Sequence, residues 1–479
     1  MARKAEERAL SHPQGDPAPP GSPGTQLIHR ALRRVVDVRA GEVGAVVVAF
    51  IYFFFALSSW FVLRPMRDTV AASSGATQLS WLWVGTLGTM IAANAAFSAV
   101  IVRISPRRIV PFAYHCIAAS LVLFYFVFRT LGAVEGSVTD IWVGRAFYIW
   151  TSVFNLFVAS LFWSFMADAF RSDQAKRLFG FIGVGGTLGS ITGSAATAEL
   201  AERLGSANLL LVSCVLLELA VLAVMRFPGG ERVGSNAGAP AVNPPHDGER
   251  APPPAPEDRG AVLGGSIWAG FTHTVKSPYL AGTALFIALF TFGSSFLYFE
   301  QSAIIGAEFA DRTSRTVALA RIEVAVQVLT VIVQVFLTGR LIRWFGLATA
   351  LAFLPVLSMV GFGALGVTSG FTAVAGFVIL RRAGNFALTN PAMEVLFTVV
   401  PREDKYKAKS FIETFVYRFG DQLGAWTFAG LVVVGLSLTT IAWVAVPISA
   451  VWCFVGVWLA RRQAELARDR AAPAATAGL

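Results

Sequence analysis

Twelve apolar runs constrain this chain more than any other feature of its sequence. A helix needs about 20 mostly apolar residues to cross a hydrocarbon layer roughly 30 Å thick, and each run reaches about that length. A soluble protein has about 25% charged residues, whereas this chain has 14% and is 55% hydrophobic. We therefore predict an all-α, multi-pass integral membrane protein. The predicted spans are 43–64, 79–103, 109–132, 141–170, 177–202, 207–226, 278–303, 317–342, 347–367, 371–398, 408–434 and 437–460.

A stretch rich in proline, glycine and charge separates the sixth predicted span from the seventh. It contains NPPHDGERAPPPAPEDRG, a composition that buries too little apolar surface to fold. We predict a cytoplasmic linker at 228–264 between two six-helix halves, 42–227 and 265–461. The basic, proline-rich segment 1–41 is predicted to be disordered and cytoplasmic, and the tail 462–479 to be cytoplasmic.

The distribution of lysine and arginine orients the spans. Basic clusters such as RISPRR, RSDQAK and REDKYK fall in alternate loops, as expected for loops that face the cytoplasm. The formal charge of +10 therefore lies between spans rather than on a soluble face, which argues against a nucleic-acid polymer as partner. We expect a lipid bilayer around the chain, the bacterial cell membrane as its location, both termini in the cytoplasm, and a monomer.

The two halves resemble each other. RISPRR after the second span matches GRLIRWFG after the eighth, and RSDQAK before the fifth span matches REDKYK before the eleventh. Two repeated six-helix halves joined by a linker match the major facilitator plan, in which a solute binds near the bilayer midplane between the halves.

Two adjacent arginines in the tenth span are the sharpest sign of a binding site. Arg381 and Arg382 lie about 15 Å along the helix from residue 371, close to the midplane. A charge there costs roughly 2.5–3.5 kcal/mol on insertion scales. Arg382, Asn385 and Thr389 are predicted to share one helical face. The pair can line a solute cavity, or it can be structural and paired with carboxylates on neighbouring helices.

The first span ends in a second basic cluster, VLRPMRD. Arg64 and Arg67 flank Pro65, which is predicted to end or kink the helix. These arginines can line the cavity, or they can extend to the outer interface with Asp68 as their partner.

The eleventh span carries Arg418 and, one turn later, Asp421. The two can neutralise each other, or Arg418 can contact an anionic solute. Glu300 and Glu323, in the seventh and eighth spans, are candidate carboxylates that can hold a proton or pair with an arginine. Arg321 is the expected partner of Glu323.

Other features favour structural interpretations. Gly185, Gly189 and Gly193 recur every fourth residue, a spacing that lets two helices approach closely; a phosphate-binding loop needs a preceding strand or a Gly-Lys-Ser/Thr ending. His115 is interpreted as a satisfied core residue. Cys116, Cys214 and Cys453 lack metal spacing and are interpreted as small buried residues. We expect no cofactor, no metal and no enzymatic activity.

Three segments resemble one transporter family: YFFFALSSWFVLRPMRDTV, SLFWSFMADAFRSDQAKRLFGFIGVGGTLGS and LRRAGNFALTNPAMEVLFTVVPREDKYKAKSFIETFVYRFGDQLG. They look like the nucleotide transporters of plastids and intracellular bacteria, the ATP/ADP translocase family, and the likeness runs across most of 43–460. It implies a fold related to the major facilitators and either ATP/ADP exchange or nucleotide import.

The resemblance also implies particular residues. Charged positions of the family look like Arg64, Arg67, Glu300, Arg382, Glu394 and Arg418. Two positions depart from its pattern: a glutamate of the fourth helix falls at Thr151, and a lysine of the eleventh helix falls at Asp421.

We therefore predict a secondary transporter of an organic anion, a nucleotide or another phosphorylated compound, that works by alternating access. Guanidinium groups match phosphate oxygens bidentately. The predicted substrate contacts are Arg64, Arg67, Arg382, Arg418, Glu300 and Asn385. A protein with the same fold that transports nothing and acts as a membrane interaction partner or sensor is the alternative. It predicts paired arginines and a closed cavity, and a structure with Arg381, Arg382 and Arg418 all locked to carboxylates would favour it. A lipid-handling role is a third option.

Overall fold

The computed structural model describes residues 37–101, 106–131, 134–228, 269–336, 338–400 and 408–476. Almost all of the predicted linker and most of segment 1–41 lie outside these ranges.

The described chain is helical and contains no strand. The first half contains α1 (Val43–Ser73), α2 (Ala76–Ile101), α3 (Pro106–Thr130), α4 (Val138–Ala169), α5 (Ser172–Leu204) and α6 (Leu209–Met225). The second half contains α7 (Pro278–Glu308), α8 (Arg312–Phe336), α9 (Thr338–Val367), α10 (Phe371–Val399), α11 (408–433) and α12 (Leu438–Thr476), and the short helix Ala269–Lys276 precedes it. Within the described ranges, ten helices are long and apolar enough to cross a membrane. The prediction of an all-α protein with many spans is confirmed.

Local signals explain several helix ends. Ser137 caps α4, because its side chain accepts a hydrogen bond from the Asp140 backbone N–H. Ser277 caps α7 in the same way, and Pro278 occupies its first turn, where no backbone N–H is needed. Gly205 ends α5 with φ of 79°, a conformation that glycine adopts without strain.

Helix α1 corrects one predicted boundary. It continues past the predicted end at 64 to Ser73, with Pro65 inside it. Of the two predicted roles of Pro65, to end the helix or to kink it, the first is wrong. The extension packs tightly against α7: a Cβ placed on Gly306 would lie 2.1 Å from the Ala72 carbonyl oxygen. Close packing between the backbones of α1 and α7 stabilises the extended part of α1.

The predicted close packing at the glycine repeat of α5 is confirmed, and the helix that packs there is α1. A Cβ on Gly189 would lie 2.2 Å from the Phe54 carbonyl oxygen, and one on Gly193 would lie 2.4 Å from that of Ser58. The Ser58 hydroxyl donates to the Gly189 carbonyl across the same contact. Small residues therefore let these two helices of the first half approach closely.

Polar contacts join the two halves near the end of the bundle where α1 finishes. Arg312 of α8 makes 2.6 Å contacts with both carboxylate oxygens of Asp140 in α4. The hydroxyls of Thr69 and Thr316 lie 2.9 Å apart, and Ser80 of α2 donates to the Ala425 carbonyl of α11. We call this the closed end of the bundle.

Candidate functional site

A cavity of about 410 Å³ lies between the two halves, within the range usual for small-molecule sites. Helices α1, α2, α7, α8, α10 and α11 contribute to its wall. Five arginines and three carboxylates line it, which leaves a surplus of two positive charges. These charged residues are Arg64, Arg67, Arg381, Arg382, Arg418, Asp68, Glu323 and Asp421.

Two π-helical turns shape the part of the wall contributed by the second half. One, Asn385–Thr389, follows Arg382 in α10, and the other, Ile412–Val416, precedes Arg418 in α11. Such turns shift the register of a helix and are frequent at functional sites. The prediction that Arg382, Asn385 and Thr389 share one face is right for the first two residues, because both line the cavity. It is wrong for Thr389, which is fully buried outside the lining, at the end of the π-helical turn.

Glu323 connects two of the cavity arginines. Arg382 donates to it from Nη1 at 2.6 Å and from Nη2 at 3.0 Å, and Arg64 donates from Nη1 at 3.1 Å. Arg64 belongs to α1 and Arg382 to α10, so one carboxylate links the halves. The prediction that Arg321 pairs with Glu323 is wrong. Residues two apart point to different sides of a helix, so Arg321 is exposed whereas Glu323 is buried.

An aromatic and hydroxyl network holds Arg67. Its guanidinium lies 4.4 Å from the centroid of the Tyr148 ring and donates to the Tyr148 hydroxyl at 3.0 Å. That hydroxyl also accepts from Trp83 at 2.9 Å and lies 3.3 Å from the hydroxyl of Tyr298, which donates to Asp68 at 3.0 Å. Tyr298 belongs to α7, so this network also joins the halves. Aromatic residues in apolar helices usually form core, so the sequence carried no signal for these three.

Arg381 has different surroundings. It is 4% exposed and donates to the Ser358 hydroxyl at 3.1 Å, the Ser294 hydroxyl at 3.0 Å and the Phe290 carbonyl at 3.2 Å. The Phe290 and Trp452 rings lie 5.5 and 5.9 Å from its guanidinium carbon. All of these groups are neutral, so Arg381 has no carboxylate partner in the described part of the chain.

Arg418 is the most open of the five arginines. Its side chain is 53% exposed, and its contact with Asp421 is a loose 3.9 Å. Ser295 of α7 donates to the Asp421 carbonyl at 3.0 Å. Asp421, the position at which the resemblance implies a lysine, is an acidic residue on the cavity wall.

Three residues implied by the sequence lie outside the cavity lining. Glu300 is fully buried, and neither carboxylate oxygen has a hydrogen-bond partner among the described residues. Thr151 is also fully buried and donates to the Phe147 carbonyl at 2.5 Å. Glu394 is exposed and pairs with Lys409 at 2.7 Å. The structure brings five of the six predicted contact residues to one cavity, and Glu300 is the exception.

Two predictions about α3 are wrong. His115 is not a core residue: its side chain is 55% exposed and bonds to Glu218 of α6 at 3.0 Å. Cys116 is exposed rather than buried. The buried face of α3 instead carries Tyr114 and Ala118, and each successive residue turns about 100° further around a helix.

No family model matches the chain, but curated proteins do. The chain is 20% identical to an ADP,ATP carrier protein 1 of Chlamydia pneumoniae, over 92% of this chain and 96% of that protein. It is 22% identical to the protein of the same name in Chlamydia muridarum, over 87% of each. The predicted resemblance to ATP/ADP translocases is confirmed.

Solved structures define the fold. A nucleoside transporter, NupG, has a TM-score of 0.58 at 15% identity and covers 88% of this chain and 98% of its own. A bacterial homologue of the iron transporter ferroportin, in an inward-facing state, has a TM-score of 0.56 at 12% identity and also covers 88% of this chain. The chain therefore has the two-bundle fold of major-facilitator-type transporters. Within that class, the curated proteins to which it is similar are ADP,ATP carriers.

Proposed function

We propose that this protein is a secondary transporter that moves a nucleotide, or another phosphorylated organic anion, by alternating access. The observation that carries the proposal is the cavity between the halves, where five arginines face three carboxylates. The similarity to ADP,ATP carriers supports the nucleotide as cargo. We further propose that the protein works in the bacterial cell membrane, with both termini in the cytoplasm, which makes the closed end the outer end.

The arginines supply the binding chemistry. A phosphate group accepts two parallel N–H bonds from a guanidinium, which adds geometric specificity to charge attraction. Arg418 is open to such a group, whereas Arg64 and Arg382 become available when a phosphate replaces Glu323. Asn385 lines the cavity, and its buried Oδ1 lacks a partner among the described residues, so a solute hydroxyl can donate to it only after the side chain moves.

The same exchange of partners loosens the contact between the halves. Glu323 ties α1 to α10 through its two arginines, and Asp68 ties α1 to α7 through Tyr298. An anion that competes for Arg64 or Arg382 weakens the first tie while it occupies the cavity. A ligand shifts a conformational equilibrium by its difference in affinity for the two states, and this competition supplies such a difference.

We propose that Glu300 contacts the solute only in another conformation of the transport cycle. Its carboxylate is buried away from the cavity, so contact with solute requires a rearrangement of α7. The sensor alternative is disfavoured, because a structure in its favour would have Arg381, Arg382 and Arg418 each locked to a carboxylate. Arg382 meets that requirement, Arg381 does not, and Arg418 is held loosely.

Uptake into vesicles tests the proposal. Purified protein is reconstituted into liposomes, and entry of labelled ATP, ADP and a sugar phosphate is measured with each nucleotide or no nucleotide inside. We expect uptake of at least one phosphorylated compound and its loss in Arg382→Ala. Arg171→Ala, which removes an exposed arginine outside the cavity, is the matched control and should transport normally. Uptake of no compound above that of Arg382→Ala would refute the proposed substrate class.

A further inference from the structure

A second pair of ionisable side chains lies on the surface of the first half, outside the cavity lining. His115 Nδ1 of α3 and Glu218 Oε1 of α6 are 3.0 Å apart, and the side chains are 55% and 39% exposed. Helices α3 and α6 pack against each other; α3 also packs against α4, and α6 against α1. The proposed transport cycle uses neither residue.

The pair lies at membrane depth. His115 and Glu218 are each the tenth residue of their helix, about 14 Å from its start at 1.5 Å per residue. That distance is near the middle of a hydrocarbon layer roughly 30 Å thick. Ionisable residues in spans almost always face the bundle interior or a water-filled cavity. An exposed pair at this depth therefore needs a polar partner from outside the bundle.

Hydrogen-bond accounting shows what that partner must offer. The described contact uses one nitrogen of His115 and one oxygen of Glu218. If the pair has no net charge, one proton is shared between Nδ1 and Oε1, and Nε2 carries an N–H whichever atom holds the shared proton. Each chain then presents one donor, Nε2, and one acceptor, Oε2, and lipid tails can satisfy neither.

We propose that two copies of this chain associate through the α3–α6 face about a two-fold axis. Such an axis brings the same surface of both copies together, so Nε2 of each copy can donate to Oε2 of the other. Polar side chains commonly hydrogen-bond between helices in membranes. Exposed apolar residues on the same two helices supply packing surface around the pair: Phe112, Leu123, Phe126, Val215 and Leu222. The inference does not rest on the transport activity, and it replaces the monomer expected from the sequence.

Photobleaching of single vesicles tests the dimer. The full chain carries one fluorophore at its C-terminus and is reconstituted at low protein density, and bleaching steps are counted. The native chain is expected to bleach mainly in two steps. A His115→Leu/Glu218→Leu double variant should have a dimer constant at least about fivefold weaker, because an interhelical hydrogen bond contributes about 1–2 kcal/mol in model peptides. Glu218→Gln keeps an acceptor and should remain dimeric. Phe454→Leu, an exposed position on α12, is the matched control and should also remain dimeric.

A distance measurement on the otherwise native protein keeps the test independent of how the leucine variants fold. Cys116 is exposed beside His115, so a spin label there, with Cys214→Ser and Cys453→Ser, should report a dipolar distance between two copies. Single-step bleaching of the native chain would overturn the proposal. So would dimers that the double leucine variant leaves unchanged, or spin labels that behave as isolated ones.

Discussion

Arg381 and Arg382 are neighbours in the chain and line the same cavity, yet their surroundings differ. Arg382 meets a carboxylate bidentately, and that carboxylate also binds Arg64 of the other half. Arg381 meets only neutral groups, and its acceptors Ser294, Ser358 and Phe290 all belong to the second half. A turn of about 100° between successive helical residues directs one guanidinium to the boundary between halves and the other into one half.

The difference separates two uses of a buried charge. The ion pair of Arg382 crosses a boundary that must open and close, so its partner can change during the cycle. The contacts of Arg381 lie within one half, which alternating access moves largely as a rigid body. We therefore expect Arg382 to govern transport and Arg381 to govern both the stability of the second half and the positive potential of the cavity.

Loss of the Arg382 side chain should have the largest effect on transport. Hydrogen bonds to charged groups contribute about 1.5–3 kcal/mol each, so Arg382→Ala should lower nucleotide uptake roughly tenfold or more. Arg382→Lys keeps the charge but lacks the planar guanidinium, so its uptake should lie between that of the native protein and that of Arg382→Ala. Initial uptake rates at equal reconstituted protein measure both variants, and native uptake by Arg382→Ala would remove the basis of the comparison.

Replacement of Arg381 should affect stability first. Arg381→Met keeps much of the volume but leaves the buried Ser358 hydroxyl without its donor, at roughly 1–3 kcal/mol for an unsatisfied buried group. The Phe290 carbonyl still accepts from the Ser294 hydroxyl. The midpoint of thermal unfolding of the purified protein should therefore fall by more than in Arg382→Ala. If Arg381→Met has the same unfolding midpoint as the native protein but transports nothing, Arg381 is a substrate contact and the two arginines act alike.

Neutralising Glu323 should have a moderate effect that distinguishes binding from turnover. Glu323→Gln removes the competitor for Arg64 and Arg382 and adds to the positive surplus, so the half-saturating nucleotide concentration should fall several-fold. Maximal uptake should fall as well, because no carboxylate at position 323 then displaces the solute from Arg64 and Arg382 when it is released. Weaker apparent affinity in Glu323→Gln contradicts a competitive role for Glu323.

Replacement of Glu42, a carboxylate outside the spans, should have the smallest effect on the protein, and that effect on stability should depend on pH. Burial raises the pKa of Glu42, but hydrogen bonds from the Arg39 backbone N–H, Gln174 and Arg177 lower it more, so the pKa lies below its ordinary value of 4.5. A lowered pKa means that the ionised form stabilises the fold above about pH 4.5 and that this stability is lost as pH falls through the folded-state pKa. Glu42→Gln should lower the unfolding midpoint slightly at pH 7, and the difference from the native protein should shrink towards pH 3. A difference that is constant with pH would exclude the ionised carboxylate as its source.

The architecture could be predicted because membrane burial leaves a simple record. Runs of apolar residues predicted the helices, and the spacing of Gly185, Gly189 and Gly193 predicted a close helix–helix contact, which the structure shows to be with α1. Arginines in or at the ends of apolar spans are unusual, and the sequence singled out all five cavity arginines, four of them as predicted substrate contacts. These are Arg64, Arg67, Arg382 and Arg418, and all four line one cavity.

What could not be predicted depends on which way a side chain points. The π-helical turns changed the facing of α10 after Arg382, and no pattern in the sequence indicated them. Arg321 is nearer to Glu323 in the chain than Arg64 is, but the side chains of residues two apart point to different sides of a helix. His115 looked like core because the position of α3 at the edge of its half was unknown. Glu218 was missed because it is the only charged residue in a helix that is otherwise almost entirely apolar.

Ligand binding to the purified protein tests most directly the claim that the arginine-lined cavity selects a phosphorylated anion. Isothermal titration with ATP, ADP and adenosine, in the native protein and in Arg382→Ala, separates phosphate recognition from base recognition. We predict that the native protein binds the phosphorylated compounds at least tenfold more tightly than adenosine, and that Arg382→Ala removes most of that preference. Equal affinity for adenosine and ATP, or an unchanged preference in Arg382→Ala, would contradict the account.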